Sequence, residues 1–228
     1  MKALASFLAA CWLAGIVPAA AQTAPSPSEL AAYGGLHAAA AKGDVAAIER
    51  LVATGTDKEA VDSRKRTPLH VAAFQKQHEA ARLLLRLGAN PNALETDRYD
   101  IVTIASVAND VPMLKIALDG GGNPRAITSR YDGTALIAAA HLGHAEIVRM
   151  LIAAGAPLDH VNNLKWTALI ESIVLGDGGR NHTDTLSALV KAGANANLTD
   201  GQGATPLALA RSRGYSEMVR ILTEAGAK

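Results

Sequence analysis

The chain has 228 residues, 49% of them hydrophobic and 19% charged, with a formal net charge of +1. That apolar fraction excludes a disordered tail, and near-neutrality gives no argument for a nucleic-acid partner, which calls for a strongly basic domain or face. Alanine is in excess, with 47 residues against two phenylalanines and two tryptophans. A core of alanine and leucine is therefore expected to hold helices close together, with few large aromatic pockets, and nothing in the length requires a second domain.

At the start, Met1-Lys2 is followed by an uncharged apolar run from Ala3 to Val17, then Pro18 and Ala19-Ala20-Ala21. This order fits a cleaved secretory signal over residues 1–21, with the cut after Ala21. The run is shorter than the ~20 residues a bilayer span needs. A lipoprotein box, Leu8-Ala9-Ala10-Cys11, is the alternative, but it leaves an unusually short signal. Removal of residues 1–21 takes Lys2 and Cys11, leaving 21 basic against 21 acidic residues and no cysteine. The expected location is periplasmic or secreted, without disulfides, thiol nucleophiles or thiolate metal ligands. Residues 22–29, with two prolines and two serines, read as a flexible leader.

Beyond it one pattern recurs six times. Thr67-Pro68-Leu69-His70-Val71-Ala72-Ala73 has counterparts at Leu36-His37-Ala38-Ala39, Asp100-Ile101-Val102-Thr103-Ile104-Ala105, Thr134-Ala135-Leu136, Thr167-Ala168-Leu169 and Thr205-Pro206-Leu207. The apolar positions Leu36, Leu69, Val102, Leu136, Leu169 and Leu207 are 33, 33, 34, 33 and 38 residues apart. An independent set, Gly55, Gly88, Gly121, Gly155, Gly193 and Gly226, shows the same period. Two registers of one period exclude coincidence.

These residues resemble the ankyrin repeat family, with its 33-residue unit and Thr-Pro-Leu-His-x-Ala signature. The resemblance covers Leu30 to Lys228. It implies an all-α solenoid of about six stacked helix-turn-helix units joined by β-hairpin loops. The repeats fall at approximately 30–62, 63–95, 96–129, 130–162, 163–200 and 201–228, with atypical end copies acting as caps. It also implies a binding scaffold, because the fold serves many partners and no single activity.

Local chemistry agrees. Thr67-Pro68 and Thr205-Pro206 place a hydroxyl N-cap before a proline whose missing N–H is harmless at the first helical position. The turn between the paired helices is expected at Gly43, Lys76, Asn109, Gly143, Asn181 and Gly214, where φ turns positive and Lys76 carries mild strain. In the second helices the spacing i, i+1, i+4, i+5 forms one apolar face: Ala47, Ile48, Leu51 and Val52 in repeat 1, and Ile147, Val148, Leu151 and Ile152 in repeat 4. Each marker glycine then ends its helix as a left-handed cap. Repeat 3, with Asp100-Ile101 in place of Thr-Pro and the run Gly120-Gly121-Gly122, is expected to be the weak point of the array.

The candidate partner-binding residues are the hairpin tips: Arg64, Lys65 and Arg66; Arg98 and Tyr99; Arg130 and Tyr131; Lys165 and Trp166. One tip per repeat should line up along one edge, and cations mixed with aromatic rings are enriched at protein interfaces. Repeat 6 breaks the series with Gly201-Gln202-Gly203-Ala204. Gly176 to Asn181 reads as an inserted finger, flexible or contacting a partner. His141, His144, His160 and His182 invite a metal site, and with Asp177 a metal-dependent hydrolase. However, His144 and His182 occupy one repeat position, and His37 and His70 fill the signature position whose family role is a structural hydrogen bond. No phosphate loop, calcium loop or nucleophile elbow is present. The expectation is a non-catalytic, monomeric scaffold without cofactor or metal, binding an unidentified protein through hairpin tips and concave face. No nucleic acid and, after signal cleavage, no membrane is expected as a partner. A stress-protective accessory to another exported protein is the other reading.

Overall fold

The computed structural model describes residues 22–228, so the expected signal segment, its cleavage after Ala21 and Cys11 lie outside the described residues. Thirteen helices run through the described residues. A short α1 (Pro27–Ala32) precedes six pairs: α2 (Gly35–Lys42) with α3 (Val45–Ala53), α4 (Pro68–Phe74) with α5 (His78–Arg86), α6 (Ile101–Val107) with α7 (Val111–Asp119), α8 (Ala135–His141) with α9 (Ala145–Ala153), α10 (Ala168–Val174) with α11 (Arg180–Lys191), and α12 (Pro206–Ser212) with α13 (Ser216–Glu224). Within each pair the helices pack together. First helices then stack on first helices and second on second, making two layers. No pair can bury its apolar faces alone, so stability is shared between repeats and their interfaces.

Five of the six first helices begin alike because their caps are alike, while α2 starts after Gly34 with no side-chain cap. The side chains of Thr67, Thr134, Thr167 and Thr205 each accept from the N–H three residues on, at 3.2–3.4 Å. Asp100 does the same for Thr103 at 2.8 Å. This corrects the expectation that repeat 3 lacks its cap chemistry. Asp100 replaces the threonine cap rather than losing it, and Asp110 caps α7 through the Met113 N–H at 3.0 Å. Ile101 to Ser106 are buried without exception. Its glycines also have a packing reason. A Cβ on Gly122 would lie 2.6 Å from Val102 Cγ2, and one on Gly120 would lie 2.7 Å from Leu85 Cδ1.

All six marker glycines have positive φ, between 77° and 92°, and Lys76 and Asn109 hold left-handed turns at 53° and 50°. In repeat 4, Ile147, Val148 and Leu151 are fully buried and Ile152 half-buried. In terminal repeat 1 only Ile48 of the stripe is fully buried. Asn181 departs from expectation: it lies inside α11, and Gly178 makes the turn instead, with φ 70°. Part of the extra length of repeat 5 thus becomes helix. The rest is packed rather than a loose finger, because Tyr215 Oη donates to the Gly176 carbonyl at 2.8 Å and a Cβ on Gly178 would strike the Tyr215 ring.

The bond to Gly176 belongs to a column. Gln77 donates to the Ala41 carbonyl (3.3 Å), His144 to that of Ser106 (3.0 Å) and His182 to that of His141 (3.0 Å). The last carbonyls of a helix have no partner within it. In repeats 2, 4, 5 and 6 the residue eleven before the marker glycine reaches back to satisfy a carbonyl at or just past the end of a first helix in the preceding repeat, whereas in repeat 3 that position is Asp110, whose carboxylate accepts from His78 Nε2 at 2.9 Å. That explains His144 and His182 without a metal.

Candidate functional site

Between one pair and the next the chain makes a hairpin, and every hairpin tip uses one device. A side-chain oxygen accepts two backbone N–H groups, two and four residues on. Asp62 accepts from Arg64 and Arg66 (2.8 and 2.9 Å), Glu95 from Asp97 and Tyr99 (2.9 and 3.1 Å), and Ser129 from Tyr131 and Gly133 (both 3.3 Å). Asn162 accepts from Leu164 and Trp166 (both 3.0 Å), and Asp200 from Gln202 and Ala204 (2.9 and 2.8 Å). Between the two donors sits a residue at positive φ: Lys65, Arg98, Asp132, Lys165 or Gly203. The device sets the true register of the tips. Arg66, Tyr99, Gly133, Trp166 and Ala204 are equivalent, and Tyr131 sits two places earlier, in the position of Arg64, Asp97 and Leu164.

Neighbouring tips are bonded into a row. The N–H of Thr96 donates to the Arg64 carbonyl (2.9 Å), Ser129 to that of Arg98 (3.1 Å), and Asn163 to that of Tyr131 (2.9 Å). These bonds tie the first four tips to one another.

The cations along it are more neutralised than the sequence suggests. Asp97, its side chain 10% exposed, pairs with Arg64 at 3.1 Å on one side and with Arg130 on the other. Burial raises its carboxyl, but the bonds from Arg130 and Thr23 outweigh that and hold it below the usual range. Arg98 pairs with Asp132 at 2.9 Å. Among the described residues Lys65 and Lys165 form no salt bridge, and both are exposed. Tyr99 is half-buried against the core, whereas Tyr131 and Trp166 are half-buried outside the core cluster.

Arg66, expected among the partner-binding hairpin tips, is instead fully buried. Its Nε donates to Asp62 Oδ2 at 2.7 Å, its Nη2 pairs with Glu29, and its Nη1 reaches the Thr23 carbonyl at 3.4 Å. Tyr33 Oη donates to the same Asp62 oxygen at 2.6 Å, and the Tyr33 ring lies 5.4 Å from that of His37. Burial would raise the Asp62 carboxyl, but the Tyr33 hydroxyl and the Arg66 N–H groups bring it down to about 2. A guanidinium is tolerated inside a protein only when so paired. Residues 22–29, expected to be a flexible leader, supply part of that pairing.

A second row went unrecognised in the sequence. Val61, Leu94, Ile127 and Val161 are 56%, 42%, 49% and 44% exposed, one on each of the first four hairpins, one or two residues before the residue that opens the tip hydrogen bonds. Their spacings, 33, 33 and 34 residues, follow the repeat, and that periodicity outside the helix stripes was the available signal. Leu164, beside Trp166, adds a fifth exposed aliphatic group.

The histidines stay apart as chemistry. His70 accepts the Thr67 N–H at Nδ1 (3.1 Å) and faces the Ala93 and Tyr99 carbonyls with Nε2 (3.0 and 3.2 Å); burial lowers its pKa to about 4, outweighing the two carbonyls, which raise it. His37 bonds the Arg66 carbonyl at 2.9 Å and His160 that of Asp132 at 2.6 Å. His141 lies 3.4 Å from the buried Glu171. Among the described residues no group of three or more His, Cys, Asp or Glu could hold a metal ion. No described helix is long and apolar enough to cross a membrane.

A two-layer stack of helix pairs with a bonded row of tips along one edge defines a repeat protein of the scaffold class. The chain belongs to the ankyrin repeat family, whose model, described as ankyrin repeats (3 copies), matches residues 22–95 and 101–200. It is similar to the putative ankyrin repeat protein YahD of Escherichia coli, 41% identical over 100 residues, a stretch covering 43% of this chain and 50% of that protein. The chain thus spans about half the length of that curated relative. Among solved structures it resembles an ankyrin repeat domain from Acinetobacter baumannii at 44% identity and TM-score 0.81, covering 85% of this chain and 98% of the other. It also resembles the ankyrin repeat domain of Bcl-3, of the IkappaB protein family, at 28% identity and TM-score 0.77, covering 86% and 88%. Such domains are generally non-enzymatic scaffolds for protein–protein interaction.

Proposed function

We propose that this chain is an exported, non-catalytic scaffold that binds a protein partner in the periplasm or outside the cell. Contact is made through the hairpin row and the adjoining concave face. The observation carrying this reading is the repeated exposure of Val61, Leu94, Ile127 and Val161 on tips locked to one another by hydrogen bonds. Aliphatic groups held in water at repeat spacing form a preformed surface, and binding to it needs little backbone change. Lys65, Lys165 and half-buried Trp166 border the row and fit a partner with carboxylates near an apolar strip. The export part of the reading rests on the charged start, apolar run and Ala-x-Ala site.

A photo-crosslinking residue at Ile127 should capture a partner in the native envelope, and one at exposed Arg149, on a second helix, should not. Against the captured protein, Trp166→Ala should weaken binding by about 2 kcal/mol, roughly thirtyfold, with the circular dichroism of the array unchanged. Equal capture from both positions would move the interface off the hairpins. Intact mass of the exported protein, beginning at Gln22 or not, tests the location separately.

A further inference from the structure

The segment before the array is placed unlike a terminal cap. A cap would cover the open end of repeat 1, yet this segment reaches forward across the hairpins. Gln22 Nε2 donates to the Thr103 carbonyl in α6 at 3.0 Å, and Thr23 Oγ1 to Asp97 Oδ2 at 3.2 Å. Glu29 pairs with Arg66. The attachment is almost wholly polar: α1 has no buried residue, and in residues 22–29 only Pro25 is buried. A single six-residue helix has no stability of its own in water. The segment is therefore held by a few side-chain bonds and one ion pair.

Arg66 differs in this respect. Its Nε is tied to Asp62 and its carbonyl to His37, both outside residues 22–29, so the guanidinium keeps a counter-charge and a fixed orientation without Glu29. Its Nη1 and Nη2 edge faces Thr23 and Glu29 alone. A fixed guanidinium edge is a carboxylate receptor by geometry. Glu29 arrives already shaped for it, since Ser26 and Glu29 form a capping box that opens α1, with the Ser26 N–H donating to Glu29 Oε2 at 2.8 Å.

We propose that Arg66 is the centre of a recognition site for an acidic peptide, occupied in cis by Glu29 of residues 22–33, and that this segment is a strap excluding outside ligands until it lifts. The ligand class is a carboxylate side chain at a Ser-capped helix start. The site lies on repeats 2 and 3, and its test needs no knowledge of the partner proposed above.

The probe is a fluorescein-labelled peptide reproducing residues 22–33, measured by anisotropy against the purified full chain and its Glu29→Arg variant. Like charge at Arg66 lifts the strap in the variant, so the peptide should bind it saturably. It should bind the unaltered chain at least tenfold more weakly, because the cis segment competes at an effective concentration near ~1 mM. A peptide carrying Glu29→Gln should lose binding, and added salt should weaken it. Equal binding to both proteins, no saturable binding to the variant, or retention by the glutamine peptide would each overturn the proposal. So would a Glu29→Arg chain that loses the helicity of the array, which would make the segment a structural cap. Hydrogen exchange on the unaltered chain gives a second reading. The Leu30 and Tyr33 amides should exchange well ahead of those of α4, and exchange in step would refute a strap that lifts on its own.

Discussion

Replacing Arg66 with methionine keeps a long apolar stem in place and removes only the guanidinium. The side chain it replaces is 0% exposed, and its partner Asp62 is 9% exposed. Breaking a buried pair by removing one member costs about 3–5 kcal/mol, because the other charge stays behind uncompensated. Asp62 would still accept from Tyr33 Oη and the Arg64 and backbone Arg66 N–H groups, which places the expected loss at the lower end, near ~3 kcal/mol. Urea unfolding followed by far-ultraviolet circular dichroism at neutral pH reads it directly. Adding Asp62→Asn removes the stranded charge, so the double variant should recover part of the loss, with a coupling of about 1–3 kcal/mol. The pH dependence has a definite sign. Asp62 titrates at about 2 in the folded chain against an ordinary 3.8, so its contribution is full above 3.8 and disappears as pH falls through 2. The gap between the parent and Arg66→Met should narrow over that interval. A loss below about 1 kcal/mol at neutral pH, or a gap that stays constant down to pH 2, would show that the pair does not hold hairpin and core together.

Leu151→Ala removes a fully buried leucine from the α9 stripe and should lower stability by about 2–5 kcal/mol in the same assay. His70 must stay neutral in the fold, with a pKa of about 4 against 6.5 unfolded, so its contribution is complete above 6.5 and is lost toward 4. The unaltered chain should accordingly lose up to about 3 kcal/mol over that range, and His70→Gln should flatten the slope. Gly122→Ala puts a methyl 2.6 Å from Val102 Cγ2 and 2.8 Å from the Ala117 carbonyl. A backbone oxygen cannot step aside, so a loss of about 1–3 kcal/mol is expected, and an unchanged unfolding midpoint would refute the close approach.

Much of the fold was legible in the chain because the signals that make an ankyrin repeat are local. A threonine before a proline, an apolar stripe at helical spacing and a glycine that turns left-handed each act within a few residues, and their recurrence gave the number of repeats and the pairing of helices. The inter-repeat histidines were also legible, since His144 and His182 stand the same distance before their glycines. Arg66 was not. Whether an arginine at a hairpin is a rim charge or an interior one depends on Glu29 and Tyr33, which are 37 and 33 residues away. Glu29 comes from a stretch whose prolines and serines suggest no attachment, and Tyr33 from just beyond it. Asp97, chosen by Arg64 and Arg130 from two other repeats, is a second case, and so is Asp100, whose cap shows only once Thr103 is seen to turn toward it. The extra residues of repeats 4 and 5 could be counted, and those of repeat 5 were placed as a finger at Gly176 to Asn181, but the chain alone does not say how much of an insertion lengthens a loop and how much a helix. The sequence by itself determined which elements form and how often they recur. Only the tertiary structure decided which charges are buried and which aliphatic groups face water. Burial is a relation between distant segments, and a buried charge persists only where those segments bring it a partner.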